Sequence, residues 1–270
     1  MNILLIGAGG REHALAWKIS QSPLLETLYI TPGNGGMDQC GTILEIDPAN
    51  HQEIISFCQQ NSIGLVVIGP EAPLVSGLAD DLAKADIPCF GPSASAAALE
   101  GSKGFTKDIC RDYNIPTASY GRYTDASSAK DYVAKEGAPI VIKADGLAAG
   151  KGVIMAETIE QANKAIDNIF SGAFGEAGAE IVIEETLIGE EASFFVLTDG
   201  KTCLPLATAQ DHKRAYEGDE GPNTGGMGAY SPAPVMTEEL IETTMKTIIE
   251  PTVKAMNDKG CPFKGVLYAG

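Results

Sequence analysis

The first ninety residues alternate between short apolar runs and segments with the 3.6-residue spacing of a helix. The apolar runs predict strands at residues 2–6, 28–31, 64–68 and 88–90. The segments between them predict helices at residues 12–19, 52–60 and 74–85. Strands that are apolar at every position are typical of a parallel sheet covered by helices on both faces. The pattern therefore predicts an α/β fold for this part of the chain.

Turns follow three of these strands, at residues 7–12, 32–34 and 69–71. In an open parallel sheet, ligands bind beyond the carboxyl ends of the strands. The first turn is not a full dinucleotide fingerprint, because Glu12 stands at its sixth position. It still allows an anion to approach a helix N-terminus, with Arg11 as a second contact, so a phosphosugar fits better than a pyrophosphate. The alternative is a glycine turn needed only for close packing.

The pattern changes after residue 93. The predicted elements there are an alanine-rich helix, strands at 139–143, 152–156 and 180–184, and a helix at 158–170. Two strand-forming halves around one helix predict a small α+β lobe. A strand at 193–197 is followed by residues 209–234, which we expect to form a long loop because they are rich in Gly and Pro. A helix at 238–257 and a strand at 265–269 follow.

Composition narrows the class of function. The net charge of -17 disfavours nucleic-acid binding through a basic face, although a phosphate ligand needs only local positive charge. Six cysteines stand singly without a C-x-x-C pair, so we expect reduced, mostly buried thiols in the cytoplasm rather than a zinc site or a disulfide frame. No apolar run approaches the ~20 residues of a membrane span. No Ser–His–Asp or Cys–His arrangement is evident.

The pair Gly150–Lys151 raises the question of a phosphate-binding loop. Three residues separate Gly146 from Gly150, whereas a P-loop has four, and Gly152 stands where a P-loop has Ser or Thr. Both flanks predict strands, whereas a P-loop joins a strand to a helix. The segment is therefore interpreted as a glycine-rich loop between two strands, either a flap over a ligand or a plain hairpin.

Charged residues at strand ends are the next candidates. Lys143 ends an apolar strand, where an ammonium is costly unless it reaches solvent or an anion. The strand exit at Glu184–Glu185 offers backbone groups to an adenine edge, and Glu191 offers a carboxylate to ribose hydroxyls. The segment 211–214 pairs two basic residues with a glycine-rich stretch and suits anionic substrate groups. Each of these, taken alone, is also compatible with charged residues at an exposed strand end or in a loop.

Together, eight segments closely resemble the phosphoribosylamine–glycine ligase family of purine biosynthesis, which has the ATP-grasp fold. They are GAGGREHALAWK, PGNGG, VIGPEAPLVSGLADDL, CFGPSASAAALEGSKGFTK, IPTASY, VIKADGLAAGKGV, IVIEETLIGEEASF and DHKRAYEGDEGPNTGGMGAYSPAP. The resemblance runs from Met1 to Gly270. It implies a Rossmann-like N-terminal domain at 1–92, a connection at 93–120, an ATP-grasp lid at 121–190 and an incomplete central domain at 191–270.

The resemblance also implies roles for matching positions. The phosphoribosylamine pocket would be formed by Gly9, Gly10, Arg11, Glu12, Pro32, Gly33, Asn34, Gly69, Pro70 and Glu71. ATP would be bound by Lys103 and Lys143 at its phosphates, a flap at Gly150, Lys151 and Gly152, an adenine hinge at Glu184, Glu185 and Leu187, and Glu191 at the ribose. The glycine and the transferred phosphate would meet at Asp211, Lys213, Arg214, Asn223, Thr224, Gly225, Gly226 and Met227. Lys143, Asp211, Lys213 and Arg214 are the expected catalytic residues.

The implied reaction joins glycine to 5-phosphoribosylamine at the expense of ATP, through a glycyl phosphate. The family's Glu-x-Asn pair for Mg²⁺ or Mn²⁺ does not occur in the sequence, so we expect the metal ligands beyond Gly270 and a chain truncated at its C-terminus. A monomer or weak dimer without nucleic-acid or membrane partners is expected. The alternatives are another ATP-grasp ligase or carboxylase of purine synthesis and a non-catalytic nucleotide-binding module.

Overall fold

The computed structural model describes residues 1–146, 152–218 and 220–270, without the side chains of Glu176 and Asn223. The chain divides into two compact units. The first comprises Met1–Ala98 and Cys261–Gly265, and the second comprises Leu99–Gly260 and Val266–Gly270.

The first unit is built on one parallel sheet. Its elements are β1 (Asn2–Gly7), α1 (Gly10–Ser20), β2 (Thr27–Pro32), β3 (Thr42–Ile43), α2 (His51–Gln60), β4 (Ile63–Ile68), α3 (Glu71–Val75), α4 (Leu78–Lys84) and β5 (Cys89–Phe90). The strand order is β3-β2-β1-β4-β5. Leu4 and Ile6 of β1 pack into one apolar cluster, and Ile3 and Leu5 pack into another on the opposite face. The predicted doubly covered α/β sheet is therefore confirmed.

One predicted helix of this unit is wrong in its extent. Residues 74–85 form parts of two helices, α3 and α4, rather than one. Gly77 stands between them with a φ of +93°, a left-handed conformation that ends one helix and begins the next. A glycine inside an apparently periodic segment is the signal for this break.

The second unit begins with a helical and antiparallel-sheet region. After α5 (Ala94–Gly101), its elements are α6 (Lys103–Asp112), β6 (Tyr120–Tyr123), α7 (Ala126–Glu136), β7 (Ile140–Ala144), β8 (Val153–Ala156), α8 (Ile159–Asn168) and β9 (Ile181–Glu185). The sheet order is β6-β9-β7-β8, and its register aligns Val141 with Glu184. One face of the sheet packs with α7 and α8 into a single apolar cluster. The expectation of one helix in this lobe is therefore wrong, because α7 covers the sheet as well.

The remainder of the second unit contains two further sheets. Its elements are β10 (Phe194–Thr198), β11 (Cys203–Pro205), β12 (Gln210–Tyr216), β13 (Glu220–Tyr230), α9 (Glu238–Thr244), α10 (Glu250–Asp258) and β14 (Gly265–Ala269). One sheet has the order β11-β10-β14, and the other pairs β12 with β13. The expectation of a long loop at 209–234 is wrong, because most of this segment forms the antiparallel hairpin of β12 and β13. The predicted helix at 238–257 is confirmed as α9 and α10, which are joined by a π-helical turn at Met245–Ile249.

The structure bears on two expectations from composition, which concern membrane spans and the cysteines. Among the described residues, no helix has both the length and the apolar character to cross a membrane. All six cysteines are free thiols. Cys58 is buried but the other five are partly exposed, so the expectation of mostly buried thiols is wrong.

Candidate functional site

A cavity of about 540 Å³ lies at the carboxyl ends of β1, β2 and β4 in the first unit. Four of the predicted substrate residues line it, namely Gly9, Glu12, Pro32 and Pro70. Gly7 and Ala8 also line it and belong to the turn predicted at residues 7–12. The remaining lining residues were not predicted, and they are Asp47, Pro48, Ala49, Ala72, Pro73 and Ser76. An Asp-Pro turn after the apolar run 42–46 was the signal in the sequence for the missed part. A cavity therefore lies at the strand ends where ligand binding is predicted, and its use as the substrate pocket stays a prediction.

Glu12 fills a gap left by two glycines in this cavity. Its side chain is buried, with 3% of the residue exposed. A Cβ atom at Gly7 would overlap Glu12 Cγ and lie 2.8 Å from Cδ, and a Cβ at Gly69 would lie 2.7 Å from Cδ. The Gly9 N–H donates to Glu12 Oε2 at 2.8 Å. The Gly9 N–H of this glycine turn is thus taken by the chain's own carboxylate, and phosphate binding at the turn stays a prediction.

Arg11 is held beside Glu12 at the edge of the cavity. Its Nε donates to Glu12 Oε1 at 2.8 Å and its Nη1 donates to Glu71 Oε1 at 3.0 Å. Partial burial lowers the pKa of Arg11, but these two carboxylates outweigh it and raise the pKa overall. A phosphate contact through Nε or Nη1 would have to displace a carboxylate. Nη2 makes none of the described hydrogen bonds.

The turn after β2 is tied to β1 by hydrogen bonds. Asn34 Nδ2 donates to Ala8 O at 2.9 Å, and its Oδ1 accepts from the Gly36 N–H at 2.9 Å. The Gly33 N–H donates to Gly7 O at 3.2 Å. The predicted substrate residues Gly33 and Asn34 therefore hold the wall of the cavity, and the Asn34 amide is used within the protein.

Ser76, on the wall of the cavity, forms an arrangement that was not expected. His51 Nε2 lies 3.2 Å from Ser76 Oγ, and His51 Nδ1 lies 2.8 Å from Asp81 Oδ2. The expectation that no Ser–His–Asp arrangement exists is therefore wrong in geometry. However, the Ser76 hydroxyl donates to Pro73 O at 3.0 Å. Ser76 Oγ thus has a backbone acceptor beside His51, and the trio links α2 to the junction of α3 and α4.

In the second unit, Lys103 and Asp145 join α6 to the end of β7. Lys103 Nζ donates to Asp145 O at 3.3 Å and to Gly146 O at 3.1 Å. The Asp145 carboxylate accepts from the Ser102 hydroxyl and from the Gly104 N–H at the start of α6. Burial lowers the pKa of Lys103, and the nearby charge of Lys143 lowers it further while Asp145 opposes this. The two predicted phosphate lysines are thus brought into one region.

Lys143 and Glu184 lie on the face of the lobe sheet opposite α7 and α8. Lys143 Nζ donates to Glu184 Oε2 at 2.9 Å. The same oxygen lies 3.2 Å from Lys107 Nζ, a residue that sequence reasoning missed. Lys107 and Glu184 are each 6% exposed, whereas 26% of the Lys143 side chain is exposed. Glu184 is therefore the anionic centre of a lysine cluster, and its carboxylate does not point freely toward a ligand.

The three residues at the exit of β9 differ in their hydrogen bonding and exposure. The Glu185 carboxylate accepts from the Ser119 N–H at 2.8 Å, and this hydrogen bond lowers its pKa. Leu187 is 70% exposed. Thr186 Oγ1 is buried and has no hydrogen-bond partner among the described residues. An unpaired buried hydroxyl is costly, so it marks a place where a bound ligand can supply a partner.

The hairpin β12–β13 carries the remaining predicted residues. Lys213 Nζ contacts Glu191 Oε1 at 2.7 Å and Asp211 Oδ1 at 3.4 Å. Burial lowers the pKa of Lys213, but Glu191 and Asp211 outweigh it and raise the pKa overall. Arg214 Nη1 donates to Gly221 O at 2.8 Å within the hairpin. The described hydrogen bonds and ion pairs do not link this group to the lysine cluster.

Two glycine-rich segments were predicted to contact ligands, the stretch 223–227 and the flap at 150–152. Thr224 Oγ1 accepts from the Gly226 N–H at 3.1 Å, and Met227 is 61% exposed on β13. Gly225 and the backbone of Asn223 lie on the same strand. The Gly152 carbonyl accepts from the Ala144 N–H at 2.8 Å, which closes the base of the predicted flap. Gly150 and Lys151 lie outside the described residues.

Comparison with known proteins decides the family. The phosphoribosylglycinamide synthetase N-domain model matches residues 1–100, and the model of the ATP-grasp (A) domain of the same enzyme matches residues 101–270. The chain belongs to the phosphoribosylglycinamide synthetase family.

Relatives within this family agree along the whole chain. The phosphoribosylamine–glycine ligase of Rhizobium meliloti is 64% identical over 270 residues, which is 100% of this chain and 64% of the relative. The ligase of Mesorhizobium japonicum is 63% identical with the same coverage. The crystal structure of the Thermotoga maritima phosphoribosylamine–glycine ligase superposes with a TM-score of 0.84 at 29% identity, covering 100% of this chain and 65% of that one. The chain thus spans just under two thirds of the length of these relatives.

The described residues contain no evident metal site. Among residues 1–146, 152–218 and 220–270, no three His, Cys, Asp or Glu side chains form a group that fits a metal ion.

Proposed function

We propose that the chain is the ATP-binding and phosphoribosylamine-binding part of a phosphoribosylamine–glycine ligase. The reaction would join glycine to 5-phosphoribosylamine and convert ATP to ADP and phosphate. The observation that carries this proposal is the gathering of three lysines in a chain of net charge -17. Lys107 and Lys143 contact Glu184, and Lys103 lies close enough for the charge of Lys143 to lower its pKa. The names of the relatives support the same activity.

The ATP phosphates would contact Lys143 and Lys103. Phosphoryl transfer depends mainly on positioning and on neutralising charge, so ammonium groups and backbone N–H groups suffice without a nucleophilic side chain. The adenine would lie against the exposed Leu187, at the strand exit where Thr186 Oγ1 has no described partner. The segment from Gly150 to Gly152 would close over the phosphates, and Glu191 would accept hydrogen bonds from the ribose hydroxyls.

Glycine would bind near Asp211, Lys213 and Arg214, with the glycine-rich part of β13. Its carboxylate would attack the γ-phosphorus of ATP, and the bond from that phosphorus to the bridging oxygen would break to give ADP and glycyl phosphate. The amine of phosphoribosylamine would then attack the acyl carbon and displace phosphate. Activation is needed because an ionised carboxylate is a poor electrophile. A closing segment would protect the acyl phosphate from water.

Phosphoribosylamine would occupy the cavity at the sheet edge of the first unit. Its polar lining includes Glu12, Asp47 and Ser76, which suit the hydroxyl and amine groups of a sugar better than a phosphate. Arg11, at the edge of the cavity, would take the phosphate through the atom that Glu12 and Glu71 leave unused. We further propose Mg²⁺, or Mn²⁺, as the ion accompanying ATP, a cytoplasmic location, and a monomer or weak dimer.

ADP formation tests this proposal most directly. The expected result is ADP release by the protein that requires glycine and freshly prepared 5-phosphoribosylamine together. A carboxylase of the same fold would release ADP without glycine, and a nucleotide-binding module would release none. In the native protein, either result would overturn the proposed reaction. Intact-mass measurement on the native protein should accompany the assay, so that its activity is assigned to a chain of known length.

A further inference from the structure

Lys107 is a buried cation whose hydrogen bonds are all used within the protein. Its Nζ donates to Thr117 Oγ1 at 2.7 Å and to Ala118 O at 3.2 Å, and it lies 3.2 Å from Glu184 Oε2. The ammonium also lies 5.3 Å from the centre of the Tyr120 ring. An ammonium has three protons to donate, and these three oxygens account for them. Only 8% of the side chain is exposed, so Lys107 cannot contact a ligand directly.

Lys143 has the opposite character. Its described hydrogen bond goes to Glu184 Oε2, which leaves two donors of its ammonium for other partners. About a quarter of its side chain is exposed, at 26%. Lys107 and Lys143 thus share one carboxylate oxygen, one from the buried side and one from the side that faces the proposed ATP phosphates.

We infer that Lys107 is a positioning residue, whose buried ammonium holds the Glu184 carboxylate so that Lys143 presents its two remaining donors to the ATP phosphates. This inference rests on the proposed function. It also gives the Glu184 side chain a role separate from the adenine hinge, where only its backbone was expected to act.

The charges explain why Lys107 matters without touching ATP. With both lysines present, the attraction of Glu184 Oε2 is divided between two cations. Without Lys107, the buried carboxylate keeps Lys143 as its remaining described ion-pair partner and competes with the phosphates for it. A buried charge that loses one partner binds its other partner more strongly, because little water is present to replace the lost one.

A set of Lys107 and Glu184 variants tests this. The affinity for a non-hydrolysable ATP analogue is measured by isothermal titration calorimetry on the 270-residue chain, together with its melting temperature. Lys107→Met should weaken analogue binding about tenfold, the size of one weakened charge-assisted hydrogen bond. Lys107→Arg keeps the charge and should recover most of the affinity. Lys107→Met combined with Glu184→Gln should bind better than Lys107→Met alone, because the competing carboxylate is gone.

Matched controls separate positioning from loss of stability. Ile166→Val trims a fully buried side chain of the same lobe, and should lower the melting temperature without changing analogue affinity. Lys135→Met removes an exposed cation of α7 and should change neither. If Lys107→Met does not fold, the double variant is compared with Glu184→Gln alone. Equal affinities are then expected, because Lys107 acts only through the carboxylate.

The outcomes distinguish this inference from the proposed function. Unchanged affinity in a folded Lys107→Met protein, or a double variant that binds no better than Lys107→Met, would overturn the positioning role alone. In the comparison with Glu184→Gln, a clearly weaker double variant would overturn it too. Failure of the wild-type chain to bind the analogue at all would overturn both proposals.

Discussion

The two units differ in where they bury charge. In the first unit, the buried charged side chain among the described residues is Glu12, a carboxylate that accepts a backbone N–H and one arginine. In the second unit, Lys107 and Glu184 are buried together, and a second lysine reaches the same carboxylate from its more exposed side. The first arrangement satisfies an anion within the protein, whereas the second leaves cationic donors free for a ligand.

Glycine residues are therefore important in the first unit, and lysine residues in the second. In the first, Gly7 and Gly69 make room for the Glu12 side chain, so shape controls the cavity. In the second, the charge balance around Glu184 controls which donors are available. Substitutions that add volume should therefore damage the first unit most, and substitutions that remove charge should damage ligand binding in the second.

The largest effect is expected from Gly7→Ala. The new Cβ would overlap Glu12 Cγ, and Gly7 has a φ of +137° that L-residues rarely adopt. Overpacking and backbone strain together should lower the free energy of unfolding by about 2–5 kcal/mol. Urea titration followed by the fluorescence of Trp17, the only tryptophan in the chain, reports on this unit.

Two glycine controls accompany that experiment. Gly10→Ala meets nothing within 4 Å and should be nearly neutral. Gly69 does not have a positive φ, but a Cβ atom there would also overlap Glu12. Gly69→Ala therefore measures the cost of the overlap without the backbone strain. Equal stability of the Gly7→Ala and Gly10→Ala proteins would contradict the view that shape controls the first unit.

Next in size is Lys143→Ala. It removes a charge-assisted contact to the ATP phosphates and should cost about 1.5–3 kcal/mol of ATP binding, which is about 10- to 150-fold in affinity. Calorimetric titration with ATP gives the affinity. Lys135→Ala on the exposed face of α7 serves as the control and should bind ATP normally. Normal ATP affinity in the Lys143→Ala protein would remove this lysine from the site.

The sequence predicted the first unit better than the second. Runs such as Asn2–Gly7 are apolar on both faces, which makes a parallel strand recognisable without knowing its neighbours. The hairpin β12–β13 was missed because four of the eleven residues of Glu220–Tyr230 are glycine, so they lack the alternating apolar side chains that identify a strand. Its pairing comes from the backbone, which composition does not reveal.

The same limit applies to the candidate site. Lys143 was recognisable because an ammonium at the end of an apolar strand needs a partner. Lys107 was not, because it lies in a polar helix and its partner Glu184 is distant in sequence. Likewise, Glu12 was predicted to face a substrate, but the room for its side chain comes from Gly69, on another strand end. Such pairings depend on tertiary contacts that no local pattern encodes.

A smaller effect is expected from Glu12→Gln. Oε1 accepts from Arg11 Nε and Oε2 accepts from the Gly9 N–H, whereas an amide offers one acceptor and turns its NH₂ toward a donor. The free energy of unfolding should fall by about 1–2 kcal/mol in the urea titration. Glu26→Gln, at an exposed carboxylate of the same unit, should change it by less than about 0.5 kcal/mol. A stable Glu12→Gln protein would mean that shape alone, without the negative charge, organises the glycine turn.

The smallest effect concerns a single proton on Lys103. Burial lowers the pKa of this lysine from its ordinary 10.5, so part of the population is neutral as the pH rises toward that value. Bound phosphates favour the ammonium and raise its pKa again. As the pH approaches the pKa of Lys103, where the phosphates are already fully ionised, ATP binding should therefore take up a fraction of a proton, and ATP affinity should fall as the pH rises further. Calorimetry in two buffers of different ionisation enthalpy measures the uptake, and Lys103→Met should reduce it. Proton release in the wild-type protein would place Lys103 away from the phosphates. Lys143 would then be the lysine that gives the second unit its cationic donors, whereas the first unit satisfies its buried carboxylate within the protein.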